Sequence, residues 1–365
     1  MDIREEFSKI QDVRHQSYVD HPLADVCVII MCAALCGIDS LEKISVYAKG
    51  KIQFFKEKFG IERIPSASTL CRILRVLDPK EVSDAIVRIM KQHIEIADEI
   101  LAVDGKAIRS TSLHNEPHSA LQVLTVFGTK SGISFEQKQI HHKTNEIPVF
   151  QEILNYLNIK DKIITADAMH CQKETCRKII EKGGNYVFGL KENQQVTYEE
   201  AKLFLNDENN ENLIETFVAP PEKGHGRIDQ RICRKIKEIS WLNSDWSGIK
   251  SIFSVRRISE ENQRKSEETR YYITSLDASP EKLLQISRDH WKIESMHWQL
   301  DVVFNEDNCP LQSDEAQLAL NSFRKLALAL HRNYLKNNKI KNSAPNNMLK
   351  CLIDNSLLLN VIKNL

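Results

Sequence analysis

Short apolar runs rich in β-branched residues fill the chain from residue 99 to about residue 191. The first three runs follow one another closely, and the last two alternate with segments that have the apolar spacing of helices. The five runs read EILAVDG, LQVLTVFG, GISFEQKQI, KIITADA and NYVFGLK. Three consecutive strands followed by alternating helices and strands predict an α/β fold, a mixed sheet flanked by helices.

The remaining regions have other patterns. Residues 1–95 have helical spacing, and their segment PSASTLCRILRVL is either a DNA-reading helix or half of a structural helix pair. Residues 195–275 are polar and rich in short strands, with APPEKGHG as a loop, and predict a β-rich insertion between two core parts, 96–194 and 276–335. Residues 336–365 read as a basic, polar tail.

Composition excludes several classes of protein. Lys+Arg and Asp+Glu both number 50, so the net charge of the chain predicts no particular partner. The nine cysteines include no C-x-x-C pair, which indicates reduced thiols in a cytoplasm. The longest apolar run, residues 26–38, is too short to cross a bilayer and favours a buried helix. No signal peptide is visible.

Two acidic residues, Asp104 and Asp167, directly follow apolar runs. Alone, Asp104 is typical of an Asp-Gly turn and Asp167 of a helix cap. Together, at the ends of strands that we expect to be neighbours, they form a pair of like charges that a divalent cation would neutralise. Ligands of open α/β sheets bind at this edge.

A third group of polar residues lies in the segment SPEKLLQISRDHWKIESMHWQLDVVFNED. His290, Glu294, His297 and Asp301 are spaced 4, 3 and 4 residues apart, which predicts one helical face, and Trp291 is expected to pack into the core. Such a stripe faces either solvent or a site. The segment lacks the H-E-x-x-H spacing that would favour a zinc site.

Positive charge is concentrated in two stretches. Residues 223–237 hold six Lys or Arg and one acid, and residues 316–350 hold seven Lys or Arg and no acid. Phosphate contacts or a plain solvated face would both explain them. Within the first stretch we expect exposed DNA contacts from Arg227, Arg231 and Arg234.

The chain resembles bacterial insertion-sequence transposases of the H-repeat-associated (ISAs) type, members of the DDE superfamily with a ribonuclease-H-like fold. The resemblance is carried by the order and spacing of AVDGKAIRSTS, TADAMHCQ, YVFGLKENQ, KGHGRID, RYYITSL and RDHWKIESMHWQLDVVFNED. It implies that Asp104, Asp167 and Glu294 are the catalytic triad, with Asp301 and Glu306 as competitors for the third position. Where the family usually has arginines after the ED pair, this chain has Pro310 and Gln312.

The resemblance implies cleavage and transfer of DNA strands by two Mg²⁺ or Mn²⁺ ions, since such chemistry activates a water or hydroxyl and stabilises a leaving oxygen. Asp104 would bridge both ions, and Asp167 and Glu294 would each hold one. Lys106 and Arg109, just after Asp104, either steer a phosphate toward the ions or have an ordinary surface role, and Lys191 is a further candidate for DNA binding. The expected partners are the terminal inverted repeats and target DNA, bound by a homodimer in the bacterial nucleoid.

Two other functions stay open at this stage. A transposase-derived DNA-binding protein would keep the fold and the basic surfaces without cleavage. A two-carboxylate hydrolase such as a glycosidase would need neither metal nor a basic insertion.

Overall fold

A computed structural model describes residues 3–15, 17, 19–93, 99–112, 120–140, 145–224, 226–239, 242, 245–262 and 264–363. The chain forms two compact units. The first unit comprises Met1–Ala97, Gly105–Lys143 and Glu294–Leu365, and the second comprises Asp98–Asp104 and Thr144–Ile293. One strand and one helix contribute residues to both units.

The first unit is mainly helical. Its helices are α1 (Ile3–Phe7), α2 (Leu23–Leu35), α3 (Leu41–Gly50), α4 (Ile52–Phe59), α5 (Ala67–Val76), α6 (Pro79–His93), α11 (Asp314–Asn337), α12 (Ala344–Ile353) and α13 (Asn355–Lys363). Every residue of α2 is buried, as its apolar sequence predicts. The strands β2 (Leu121–Gly128) and β3 (Ser134–Ile140) pair antiparallel in this unit.

The second unit holds most of the strands. Its elements are α7 (Glu146–Tyr156), β4 (Ile163–Ala166), α8 (Lys173–Glu181), β5 (Asn185–Leu190), α9 (Gln195–Asn206), β6 (Ile214–Val218), β7 (Glu222–Gly224), β8 (Arg227–Ile236), β9 (Ser251–Glu261) and β10 (Arg264–Thr274). Strand β1 (Ile100–Ile108) passes from this unit to the first after Asp104, and helix α10 (Pro280–Phe304) does so after Ile293.

The strand order confirms the predicted fold class, a ribonuclease-H-like mixed sheet flanked by helices. The order is β3-β2-β1 in the first unit and β1-β4-β5-β10-β9-β8-β6 in the second, with β7 paired to β8. Strands β1, β4 and β5 are parallel, whereas β10 runs antiparallel to β5. The five strands predicted between residues 99 and 191 are all present.

Three sequence predictions need correction. Residues 195–275 contain the five strands β6 to β10, as predicted, but they begin with the helix α9, and their strand β10 bonds to β5 of the preceding core part. The predicted loop 219–226 contains β7. The predicted polar tail forms α12 and α13, whose apolar residues Met348, Cys351, Leu358 and Val361 are buried.

The cysteines of the chain are mostly buried. All nine cysteines are free thiols, and eight of them are buried. Burial raises the pKa of the Cys27 thiol to about 12, so this group stays protonated at neutral pH. Among the described helices, none has the length and apolar character needed to span a membrane.

Candidate functional site

Asp104 lies within β1, not at its end. The strand continues to Ile108, so the Asp-Gly pair forms no turn, and the predicted strand end is wrong. What ends after Val103 is the pairing of β1 with β4, whose last partners are Val103 and Ala166. Asp104 is half-buried and is the first residue of β1 beyond that pairing.

Asp167 directly follows β4, as the sequence predicts. Its side chain accepts a hydrogen bond from the Met169 backbone N–H at 3.1 Å and caps the 3₁₀ turn Ala168–His170. The capping alternative is therefore confirmed. A carboxylate has about four lone-pair positions, so this one bond leaves capacity for a metal ion.

The register of β1 and β4 brings the two acids together. Asp104 and Asp167 each follow a member of the last bonded pair, and Asp167 keeps an extended backbone with φ −69° and ψ 176°. Neighbouring strands lie about 5 Å apart, and side chains at the same level of parallel strands project from the same side. The two carboxylates thus share one edge and one face of the second unit's sheet.

His290 of α10 lies beside this edge. Its Nδ1 is 3.1 Å from Thr165 Oγ1, a hydrogen bond to the strand that carries Asp167. Burial lowers the pKa of His290, while the carboxylates of Asp104 and Asp167 oppose that shift. The bond to Thr165 places the ring beside the strand that carries Asp167, and the lowered pKa favours the neutral imidazole.

The turn after Asp167 is held by two residues that the sequence patterns did not indicate. Asn193 Nδ2 donates to the Ala168 carbonyl at 2.7 Å, and Gln194 Nε2 donates to the Cys171 carbonyl at 3.0 Å. A Cβ at Gly189 would lie 3.2 Å from the Ala168 nitrogen, so glycine lets β5 approach this turn. The signal was present in YVFGLKENQ, a segment that strand patterns alone do not explain.

The helix face predicted around Glu294 is only partly observed. Glu294 is exposed, His297 is buried and Asp301 is half-buried. Trp291 does not pack into the core: its side chain is 40% exposed, and the Arg270 guanidinium lies 4.3 Å from the ring centroid. Stacking against arginine lets this large ring stay at the surface, which corrects the prediction.

The competing acids Asp301 and Glu306 bind Lys106 in the first unit. Lys106 Nζ is 2.7 Å from Asp301 Oδ1 and 3.0 Å from Glu306 Oε2. Burial alone would lower the pKa of Lys106, but these carboxylates outweigh it and raise the pKa. Lys106 is therefore a half-buried ion-pair partner, and its geometry does not support the predicted phosphate contact.

The other basic residues fall into two groups. Arg109 and Lys191 are exposed. Residues 223–237 are not uniformly exposed, because β8 lies inside the sheet, where Lys235 is buried beside Asp277. Arg227 and Arg231 share one face of β8, whereas Arg234 projects from the other and pairs with Glu211.

The second basic stretch and the proposed DNA-reading helix belong to the first unit. Arg324 and Lys325 of α11 are buried, so residues 316–350 are not simply a solvated face. Burial lowers the pKa of Lys325 to about 7. Helix α5 begins at its Ser66 cap and exposes Arg72 and Arg75, and its role in reading DNA stays a prediction.

The donor chemistry of the site suits a hard cation. Within the described residues, no group of three or more His, Cys, Asp or Glu side chains is arranged to hold a metal ion. Asp104 and Asp167 nevertheless supply carboxylate oxygens at one sheet edge. Mg²⁺ binds in proteins through one or two carboxylates while keeping several waters, so this pair fits such an ion.

Comparison with known proteins identifies the family. The family model described as "Transposase DDE domain" matches residues 95–330, and the model described as "DDE_Tnp_1-associated" matches residues 4–90. The chain is 32% identical over 374 residues to the "H repeat-associated putative transposase YhhI" of Escherichia coli (strain K12), covering 99% of this chain and 97% of that protein. It is 31% identical over 336 residues to the "Putative transposase YncI" of Escherichia coli O157:H7, covering 89% of this chain and 86% of that protein.

A solved structure of the piggyBac transposase synaptic complex with hairpin DNA aligns with 100% of this chain and 79% of that chain. Its TM-score is 0.47 and its sequence identity 11%, too distant to bear on function. The sequence matches are strong by themselves, because the DDE domain model covers more than half of the chain and the E. coli K12 relative aligns along nearly all of it. On this evidence the chain belongs to the family of DDE transposases.

Proposed function

We propose that the protein cuts DNA at the ends of an insertion sequence and joins those ends to target DNA in metal-dependent reactions. The observation that carries this proposal is the position of Asp104 and Asp167 beside each other on parallel strands of a DDE domain. Glu294 is the proposed third acid, on the family resemblance and its place one helical turn after His290. Membership of this family gives the glycosidase alternative no support.

Asp104, Asp167 and Glu294 would hold two Mg²⁺ or Mn²⁺ ions. When bound, such ions activate an attacking water or hydroxyl and stabilise the leaving oxygen. The protein's own contribution is positional. The β1–β4 register sets the two aspartates side by side, and the bonds from Asn193 and Gln194 hold the turn after Asp167 in place.

DNA contacts are proposed for the basic residues that remain accessible: Arg109, Lys191, Arg227 and Arg231. These residues would supply affinity for backbone phosphates that falls with salt and depends little on sequence. The inverted repeats at the element ends and the target DNA are the proposed partners. Lys106 and Arg234 are left out, because Lys106 lies between the carboxylates of Asp301 and Glu306 and Arg234 projects from the other face of β8.

The test is cleavage of a supercoiled plasmid that carries the DNA flanking the coding region. We expect cleavage with Mg²⁺ that stops on chelation. Asp104→Asn and Asp167→Asn should each lower the rate at least about a hundredfold, since changing even a group that only orients a metal ligand can cost that much. Asp245→Asn, at an exposed carboxylate of the same unit, is the matched control and should cut at the normal rate.

Binding without cleavage would favour the other candidate, a transposase-derived DNA-binding protein. Cleavage by both Asp→Asn variants at the wild-type rate would show that this edge of the sheet is not the active site. DNA binding measured in chelator should be unchanged in both variants, because the proposed role of these acids is to hold metal.

A further inference from the structure

Alternate residues of three neighbouring strands build an arginine-rich surface that the proposed acids do not explain. The surface consists of Arg227 and Arg231 of β8, Arg257 of β9 and Arg270 of β10. The registers of the three strands place these four side chains on the same face of the sheet. Arg231 lies directly opposite Arg257 in the β8–β9 register. Cross-strand like charges destabilise a sheet, so this pairing has a cost that folding alone does not require.

Helix α10 covers part of that face and leaves a cleft of about 360 Å³. Near its start, α10 packs on the sheet through Leu283 and Leu284. One turn later, Ser287 is the first helix residue that lines the cleft. All the residues that line the cleft belong to the second unit: Arg227, Arg231, Val255, Arg257, Glu268, Arg270, Tyr272, Ser287, Arg288 and Trp291.

The cleft carries an excess of positive charge. Across the described part of the chain, the ion pairs of its five arginines reach only three carboxylates, those of Asp229, Glu222 and Glu268. Asp229 is buried and binds three of the arginines, including both members of the opposed pair. These ion pairs hold the guanidinium groups in place. Because five arginines share three carboxylates, the cleft keeps an excess of two positive charges over these partners.

A phosphodiester is the anion that this arrangement suits. Guanidinium groups are planar donors that bind phosphate oxygens in pairs, and fixing them beforehand reduces the entropy lost on binding. Tyr272 and Trp291 add apolar surface against which a sugar can pack. A single small anion would use only part of a cleft with five arginines, whereas a strand with successive phosphates would use all of it.

The position of the cleft relates it to the candidate active site. The guanidinium of Arg270 lies 4.3 Å from the ring centroid of Trp291, and the preceding residue, His290, bonds Thr165 of β4, two residues before Asp167. All of these residues lie in the second unit. A strand bound in the cleft would therefore lead to the edge that carries the two aspartates.

We propose that this arginine cleft binds the phosphodiester backbone of a DNA strand next to Asp104 and Asp167. The proposal rests on the proposed function and adds Arg257, Arg270 and Arg288 to the DNA-binding residues. None of these three was indicated by the charge runs of the sequence, because Arg257 and Arg270 lie on strands with many acids.

The test measures binding of a fluorescein-labelled 20-base-pair DNA in chelator, by anisotropy, over a range of NaCl concentrations. Arg270→Gln and Arg288→Gln should each weaken binding about tenfold, on the scale of a charge-assisted hydrogen bond. Each should also lower the slope of log affinity against log salt by about 0.9, and the double variant by about twice that. Arg270→Lys should keep the slope, because it keeps the charge.

Arg256→Gln is the matched control. Arg256 neighbours Arg257 on β9 but projects from the opposite face, is 46% exposed and pairs with Glu267, just as Arg270 is 40% exposed and pairs with Glu268. Exposed ion pairs of this kind contribute little to folding, so all these variants should fold. Circular dichroism and the melting temperature check that they do.

An unchanged slope in the double variant, or an equal loss of binding in Arg256→Gln, would overturn the cleft proposal. The binding and cleavage assays together distinguish a failure of the cleft proposal from a failure of the proposed function. Normal binding by the arginine variants together with cleavage that requires Asp104 would refute the cleft alone. Weakened binding together with an absence of any metal-dependent cleavage would support the cleft and refute the enzyme.

Discussion

Glu306 is the residue on which the buried ion network of the first unit depends. Its side chain is fully buried, and it accepts hydrogen bonds from Arg324 Nη1 at 3.1 Å, Asn321 Nδ2 at 2.8 Å and Lys106 Nζ at 3.0 Å. Burial alone would raise the pKa of Glu306, but the two cations outweigh it and lower the pKa. The network fastens the segment after α10 to the part of β1 that follows Asp104.

Glu306→Gln should destabilise the protein by about 3–5 kcal/mol at pH 7, because it leaves buried cations without their counter-charge. Since the folded pKa is lowered, this stabilisation is complete above the unfolded value of about 4.3 and is lost as pH falls through the lower folded value. The difference in urea midpoint between variant and wild type should therefore be largest at pH 7 and smaller at pH 3.5. Glu57→Gln, at an exposed carboxylate of α4, should change the midpoint at neither pH.

An equal loss of stability at both pH values would show that Glu306 acts through packing and not through its charge. The network also marks the limit of sequence reasoning at this scale. Asp104 and Asp167 could be found because each follows an apolar run directly. The role of Lys106 could not, because its partners Asp301 and Glu306 lie about two hundred residues away in sequence and only the fold brings them to it.

Helix α10 is the element on which the assignment of the third acid depends. Asp301 lies seven residues after Glu294, about 10 Å along the helix axis, so the two cannot complete the same compact site. Asp301 is held by Lys106, whereas Glu294 follows His290 by one turn. Glu294→Gln should abolish cleavage and leave DNA binding in chelator unchanged, because it removes only the charge that a metal ion needs.

Asp301→Asn is the comparison that decides the position of the third acid. It should weaken the contact with Lys106 and lower stability, yet cleavage per folded molecule should persist. The plasmid cleavage assay, normalised to the folded fraction from circular dichroism, measures both variants. Loss of cleavage in Asp301→Asn together with normal cleavage in Glu294→Gln would move the third acid seven residues along the helix.

The elements were predicted well where one periodicity dominates and poorly where packing decides. The strands from β1 to β5 follow from their apolar runs. Helix α10 was found, but not its buried side, because Trp291 stacks on an arginine from a distant strand and Trp298 is exposed. The odd-position arginines of β8 were visible in the sequence, but the face they form needed the register with β9 and β10.

At the scale of the whole molecule, net charge gives no indication of a nucleic-acid partner. The chain has equal numbers of acidic and basic residues, yet the arginine cleft concentrates guanidinium groups in one place. In the proposed complex this local excess would contact phosphate, although the net charge of the chain is zero. This separation depends on the fold and could not be predicted from composition.

The number of chains that act on one element follows from symmetry. Each chain supplies Asp104 and Asp167 once, whereas two inverted repeats present the same sequence twice, related by a two-fold axis. Equivalent DNA ends call for equivalent protein copies, and closed two-fold dimers are the commonest assembly of this kind. We therefore expect a homodimer when the protein is assembled on a pair of ends.

Mass photometry of Asp167→Asn with uncut end DNA should show complexes with two chains, because this variant binds without cutting. Mixing equal amounts of wild-type and Asp104→Asn chains gives a sharper result. If each chain cuts one end, about half of the dimers carry one active site, and plasmids cut at a single end should accumulate. A single chain that cuts both ends would instead yield only doubly cut plasmid at a reduced rate, which would contradict the assignment of one end to each chain.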